Sequence, residues 1–193
     1  MLDEYVRTQL SLARYLHSVR TAETTILLCT RFAEYGHFED EAWTAGIAHD
    51  LAREWKSEEI FAAVSRDGLP ISNFEKKNPM LLHGRAAAFV LRTSFDERRE
   101  AVLQAVRRHT CGHPDMGSLG MMLYAADYIE PGRSHIDPSH AESLIGESRL
   151  ENMVLRILRE EFRHLERKGR RIEESSRLLY ASLEKSVARS GVH

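Results

Sequence analysis

Residues 45–55 read AGIAHDLAREW. In this apolar stretch an imidazole and a carboxylate, His49 and Asp50, stand side by side. A buried, unpaired carboxylate is strongly unfavourable, so Asp50 requires a partner. A helix cap, a salt bridge and a metal ion would each serve, and the stretch alone does not choose among them. With the residues before it, it forms FEDEAWTAGIAHDLA (38–52), which reads as a helix with acidic residues in its first turn. Carboxylates there complement the positive end of the helix dipole.

The helical pattern extends outward in both directions. Val6, Leu10, Leu12, Leu16 and Val19 begin it, and apolar residues recur at intervals of three and four from Ala22 to Tyr35. Gly36 follows as a stop. Downstream, KSEEIFAAVSRDG (56–68) has Ser57 as its expected N-cap, and Gly68-Leu69-Pro70 ends it. ISNFEKKNPM (71–80) reads as loop. Helices are expected over about Leu81–Arg92 and, after Ser94, about Asp96–Arg108. HTCGHPDMG (109–117) is a turn-rich break, SLGMMLYAADYI (118–129) is helical and apolar, and EPGRSHIDPSH (130–140) breaks again. The last segments, about Leu150–Lys168 and Glu174–Ala188, are amphipathic helices. No run alternates as a strand would. The expectation is an all-α single domain over 1–193, with its core over about 10–135 and C-terminal helices over about 140–188 packed on it.

Composition narrows the class. A chain of 193 residues is long enough to bury a sizeable core. A net charge of −2 lacks the basic footprint of a nucleic-acid binder. Cys29 and Cys111 form no CxxC pair and suit a reducing cytoplasm. The start, MLDEYVRTQL, has no signal-peptide core, and no apolar run is long enough to span a bilayer. These features point to a cytoplasmic protein with no membrane partner.

Among the histidines, His37, His135, His140 and His164 lie in polar contexts that suit the surface, His193 is terminal, and His113 is expected exposed. The rest stand among apolar neighbours or at helix ends: His17, His49 beside Asp50, His83 and His109, joined by Asp127. Helical bundles build metal sites from side chains projected inward by facing helices. Mixed imidazole and carboxylate donors suit Fe, Mn, Zn or Co, and the absence of cysteine donors argues against structural zinc. Hydrogen-bonded core histidines and a capping Asp127 would present the same pattern.

Five segments carry a resemblance: RYLHSVRTAET (14–24), AGIAHDLAR (45–53), NPMLLHGRAAA (78–88), RRHTCGHPDMG (107–117) and LYAADYIEPGR (123–133). Together they resemble the YqeK family of HD-domain phosphohydrolases. The resemblance implies an HD helical bundle with a metal site in its core. It also implies symmetrical hydrolysis of diadenosine tetraphosphate, a small-molecule nucleotide, to two ADP. The implied cofactor is a divalent metal, iron first, with Mn, Co or Zn as alternatives, in one or two ions. By this resemblance His17, His49, Asp50 and Asp127 match metal ligands. His83 and His109 match positions at a second metal or against substrate phosphates, and with Asp50 form the expected catalytic set. Arg14, Thr110 and Arg133 match nucleotide contacts, and Asp50, His83, His109 and Asp127 are also expected to face the substrate. Arg53 falls where the family has lysine, which exchanges a point charge for a planar fork, and with Arg14 and Arg133 it is expected to hold substrate phosphate oxygens.

The tail departs from the family pattern. In RRIEESSRLLY (170–180), Ile172, Ser176 and Tyr180 align, but Glu173 and Glu174 replace the expected residues. Two carboxylates would repel a polyphosphate, so they point away or the substrate differs. Alternative readings are another HD nucleotide phosphohydrolase, acting on mononucleotides or deoxynucleotides, and a non-catalytic nucleotide-binding signalling module. The apolar faces of the last helices suit either a homodimer or completion of the core.

Overall fold

Ser11 divides the first helical stretch in two. Its hydroxyl accepts the Arg14 N–H and starts a 20-residue helix, so the chain opens with α1 (Leu2–Gln9) and α2 (Leu12–Arg31). The computed structural model describes residues 1–134 and 136–190, with the side chain of Ser190 excepted. His135 and His193 lie outside the described residues. There follow α3 (Glu39–Ala48), α4 (Ser57–Val64), α5 (Asn73–Lys77), α6 (His83–Ser94), α7 (Glu100–Arg108) and α8 (Gly117–Ile129). The chain continues as α9 (Pro138–Ile145), α10 (Leu150–Arg167) and α11 (Glu174–Ser190). The described residues contain no strand, as the all-α expectation requires. None of their helices is long and apolar enough to cross a membrane.

Helix α2 packs on α3 and α8, and α7 packs on α6 and α8. The main core between them includes Leu28, Phe32, Ile47, Leu91, Leu103, Met122 and Leu123. The apolar face of α10, with Met153, Val154, Ile157 and Leu158, joins the same core, as do Leu179 and Leu183 of α11. A smaller cluster of Ile60, Val64, Leu82 and Ala86 seats α4 against the start of α6. This packing sets α2, α3, α6, α7 and α8 so that side chains from all five meet at a common point.

Several boundaries differ from the sequence expectation, each for a local reason. Helix α3 ends at Ala48, not Ala52. Gly46 O, which the Asp50 N–H would take if the helix continued, instead accepts the His49 Nδ1–H at 2.7 Å. Tighter turns follow, with Leu51 N bonded to Ala48 O and Arg53 N to Asp50 O. Helix α7 begins at Glu100 because Asp96 adopts a left-handed φ of 53° and the Glu97 N–H reaches back to Leu91 O. The expected loop 71–80 holds α5, started by a capping box in which Ser72 and Glu75 bond each other's backbone N–H. The break at 130–140 ends early: Asp137 caps α9 and Pro138 takes its first position. Ser57 is the first residue of α4, with Lys56 at the cap position.

One glycine governs how closely α2 and α3 approach. A Cβ on Gly46 would lie 2.3 Å from Ala22 Cα, a backbone atom that cannot swing aside. Gly46→Ala is therefore expected to force the two helices apart at a cost of about 1–3 kcal/mol. Urea unfolding would read this as a lowered midpoint with an unchanged slope.

Candidate metal centre

His17 projects from α2, His49 and Asp50 from the turn that closes α3, His83 from the first turn of α6, His109 from the end of α7 and Asp127 from the last turn of α8. His17, His49, Asp50, His83 and His109 are all buried; Asp127 is half-buried. Their donor atoms form two main groups joined by the Asp50 carboxylate, and His49, His109 and Asp127 make a further trio within 4.8 Å of one another. In the first, His17 Nε2 lies 3.2 Å from His49 Nε2, 3.0 Å from Asp127 Oδ1 and 3.5 Å from Asp50 Oδ2. His49 Nε2 lies 3.6 Å from both carboxylate oxygens. In the second, His83 Nε2 lies 3.0 Å from both Asp50 Oδ1 and His109 Nε2, and His109 Nε2 lies 3.9 Å from Asp50 Oδ1. Donors sharing one metal at bonds of about 2.0–2.2 Å sit roughly 3 to 3.6 Å apart. In the first group His17 and His49 have that spacing to each other and to both carboxylates, and the second group nearly has it.

The other edge of each imidazole shows why a cation fits. Nδ1 of His49, His83 and His109 donates to a carbonyl three residues back: Gly46 O at 2.7 Å, Met80 O at 2.6 Å and Val106 O at 2.8 Å. His17 Nδ1 donates to Glu130 Oε1 at 3.0 Å. With Nδ1–H fixed, a ring that carries no second proton presents an Nε2 lone pair to the cluster, where the Nε2 atoms face one another. A second proton on every ring would put four imidazolium charges against two carboxylates in a buried space. An external divalent cation satisfies the same lone pairs without that repulsion. These residues thus suit a metal of the class that takes imidazole and carboxylate together.

The electrostatics differ between the rings: burial alone would lower His49, but the Asp50 and Asp127 carboxylates outweigh it and raise it, while His109 goes the other way. Burial, reinforced by charge on His83 and His49, pushes His109 down to about 3, which keeps that ring neutral. Burial alone would raise Asp50, but the facing His49 and His83 outweigh it and hold the carboxyl far below the usual range. Burial acts the same way on Asp127 and is outweighed by His17, His49 and Arg133.

Behind the cluster stands Glu130, which sequence reasoning misses. It is 2% exposed, orients His17, and accepts from Arg20 Nε at 2.5 Å and from Gly132 N at 2.6 Å. Burial would raise its carboxyl, but the Arg20, His17 and Gly132 hydrogen bonds hold it low. In EPGR it reads as a turn residue, and no spacing in the sequence ties it to His17, so only the fold reveals its role.

The remaining expected site residues divide. Arg14 bonds Asp50 Oδ2 at 2.8 Å. Arg133 pairs with the Asp127 carboxylate and reaches Asp127 O at 2.7 Å. Thr110 Oγ1 is 3.4 Å from His109 Nε2. Arg53 is half-buried, and its guanidinium makes no hydrogen bond or ion pair among the described residues. A cleft of about 1220 Å³ opens from His109, Thr110, Asp127 and Arg133 toward α10.

Glu173 lines this cleft, but its carboxylate is occupied by the Ser175 N–H at the start of α11, and Glu174 is exposed and does not line it. Ser176 donates to Cys111 O at 2.7 Å, Ile172 is buried, and Tyr180 accepts from Arg159 Nε at 3.1 Å. Glu161, also at the cleft, bonds the buried Tyr124 hydroxyl; burial pushes its carboxyl up to about 7. His37 and His164 are exposed, as expected. His140 is half-buried against Glu160 and His113 against Asp115, because each gains a carboxylate partner.

The model of the HD domain matches residues 14–132. Over 129 residues the chain is 36% identical to the symmetrical bis(5′-nucleosyl)-tetraphosphatase of Bacillus subtilis, covering 67% of each protein. It is 33% identical over 130 residues to the protein of that name from Halalkalibacterium halodurans, again covering 67% of each. The solved structure of an HD superfamily hydrolase from Clostridium acetobutylicum, described as involved in NAD metabolism, superposes with a TM-score of 0.86 at 26% identity, covering 96% of each chain. A family match over most of the chain, and relatives of one kind, mean that this chain belongs to the HD domain family, in its YqeK branch.

Proposed function

We propose that the chain is a metal-dependent phosphohydrolase that cleaves diadenosine tetraphosphate symmetrically, giving two ADP. The observation that carries this reading is the shared Asp50 carboxylate. Its Oδ2 faces His17 and His49, and its Oδ1 faces His83, and a cleft of about 1220 Å³ opens from the cluster at His109 and Asp127. The relatives are named for symmetrical cleavage of bis(5′-nucleosyl) tetraphosphates.

In this reading His17, His49, Asp50 and Asp127 would hold one divalent ion, and Asp50, His83 and His109 would hold a second. Iron is the metal that the resemblance implies, while Mn, Co and Zn accept the same donors. When bound, such ions acidify water and neutralise phosphoryl oxygens.

The chain's own residues do the rest. Arg133 at the cleft floor and Arg163 and Arg167 on its wall offset the charge of the tetraphosphate through charge-assisted hydrogen bonds. Arg14 holds the Asp50 carboxylate in place. Thr110 offers a hydroxyl beside His109 for a phosphoryl oxygen. The water oxygen bonds to one inner phosphorus, and the central bridging oxygen leaves with the other ADP. No arginine serves as an acid here, because a guanidinium does not release its proton.

Product analysis tests the reading. Metal-loaded protein given diadenosine tetraphosphate in ¹⁸O-water is expected to yield ADP alone, with one label per pair of ADP molecules. AMP with ATP, or no turnover, overturns it.

A further inference from the structure

Phe74 lines the cleft and is half-buried, yet it packs into neither of the two apolar clusters. The other aromatic rings of the cleft are committed. Tyr124 is buried in the core and Tyr128 packs against it, their hydroxyls bonded to Glu161 and Glu160. Phe162 packs on the core and on Tyr180, with ring centroids 5.5 Å apart. The Phe74 ring is covered by the exposed guanidinium of Arg171, which lies 5.5 Å from its centroid.

The segment that carries Phe74 is nevertheless firmly held. Arg85, 6% exposed on α6, donates to both Asp67 oxygens at 2.9 Å, to Pro70 O at 2.9 Å and to Leu69 O at 3.0 Å. The Ser72–Glu75 capping box then fixes the first turn of α5 around Phe74. A buried guanidinium with its donors satisfied is a rigid anchor. An aromatic ring is thus presented to the cleft on an anchored segment, belongs to neither apolar cluster, and has the exposed Arg171 side chain over its face.

We propose that Phe74 is the stacking platform for one nucleobase of the dinucleotide, and that the base displaces Arg171 from the ring. This rests on the dinucleotide reading above. A substrate symmetric about its scissile centre needs a base site away from the metal centre, and Phe74 lies in the same cleft as His109 and Asp127. Base–aromatic stacking is stronger than an exposed cation–π contact, so the exchange is downhill. The released guanidinium stays beside Arg167 and Arg170, where it can meet phosphate oxygens.

The test compares steady-state hydrolysis of diadenosine tetraphosphate by wild type, Phe74→Ala, Phe74→Leu and Phe74→Trp. Both Phe74→Ala and Phe74→Leu are expected to raise KM about tenfold or more, the scale of one lost base stack, with kcat within about twofold. Phe74→Trp keeps KM, and its emission is quenched on binding a non-hydrolysable analogue beyond any change in wild type, which carries Trp43 and Trp55. Melting temperatures should be unchanged, since Phe74 belongs to neither core. Wild-type KM in Phe74→Leu, a fall in kcat at constant KM, or emission from Phe74→Trp that is quenched no more than wild type overturns the proposal. If wild type itself fails to release ADP, the hydrolase reading fails instead, and quenching of Phe74→Trp by ADP still decides whether the ring stacks on a base.

Discussion

Asp50→Ala is expected to remove bound metal and turnover together, lowering kcat/KM by at least about 10³-fold, since losing one preorganised electrostatic group costs about 10²–10³ and Asp50 serves two donor groups. The geometry explains why this residue outranks its neighbours. Its Oδ2 lies 3.5 Å from His17 Nε2 and 3.6 Å from His49 Nε2, while its Oδ1 lies 3.0 Å from His83 Nε2. Removing it leaves four imidazoles facing one another with only Asp127 to balance a divalent charge. It also strands Arg14, which bonds the same carboxylate. Asp50→Asn separates charge from shape: it keeps the volume but offers one neutral oxygen, and should retain the fold while losing most of the metal. The measurement is elemental analysis on protein purified with the metal present, beside kcat/KM and circular dichroism. Turnover near the wild-type rate with metal retained would remove Asp50 from the centre of the mechanism.

How far the sequence discloses this site depends on where the physical signal lies. His17, His49, His83 and His109 stand out because polar side chains interrupt otherwise apolar helical faces, and burial of such groups demands partners. Their convergence is a property of helix packing, set by contacts such as Gly46 on Ala22, and no local spacing encodes it. The turn at His49 and Asp50 is likewise hidden. Helical composition favours continuing α3, and only the imidazole's capture of Gly46 O ends it and turns Asp50 toward two groups of donors. Glu130 and Arg20 are far apart in sequence and meet only in the fold. Phe74 reads as a loop residue although Ser72 and Glu75 carry a capping box in plain sight. Glu174 is exposed and lies off the cleft, but Glu173 lines it, with one carboxylate oxygen held by the Ser175 N–H. Arg53, three residues after Asp50, is the residue whose expected role receives no contact from the geometry.

His83→Ala is expected to halve the metal content rather than abolish it, and to lower kcat by about 10²-fold or more, as loss of a preorganised electrostatic group does. The second donor group consists of Asp50 Oδ1, His83 and His109. With His83 gone, that trio is reduced to His109 and an Asp50 oxygen 3.9 Å away, too few donors to hold an ion there, while the donors around His17 and His49 are untouched. His109→Ala should give the same stoichiometry, and the double variant should be no worse than either single one, because residues that act as a unit lose their function once. His17→Ala strikes the other group and should leave the second set of donors in place. Metal per chain, measured beside kcat for all four variants, separates two roles that the sequence leaves open. If His83 and His109 meet substrate phosphates instead of a second ion, both single variants keep the full wild-type metal content, and the double variant loses activity beyond either one.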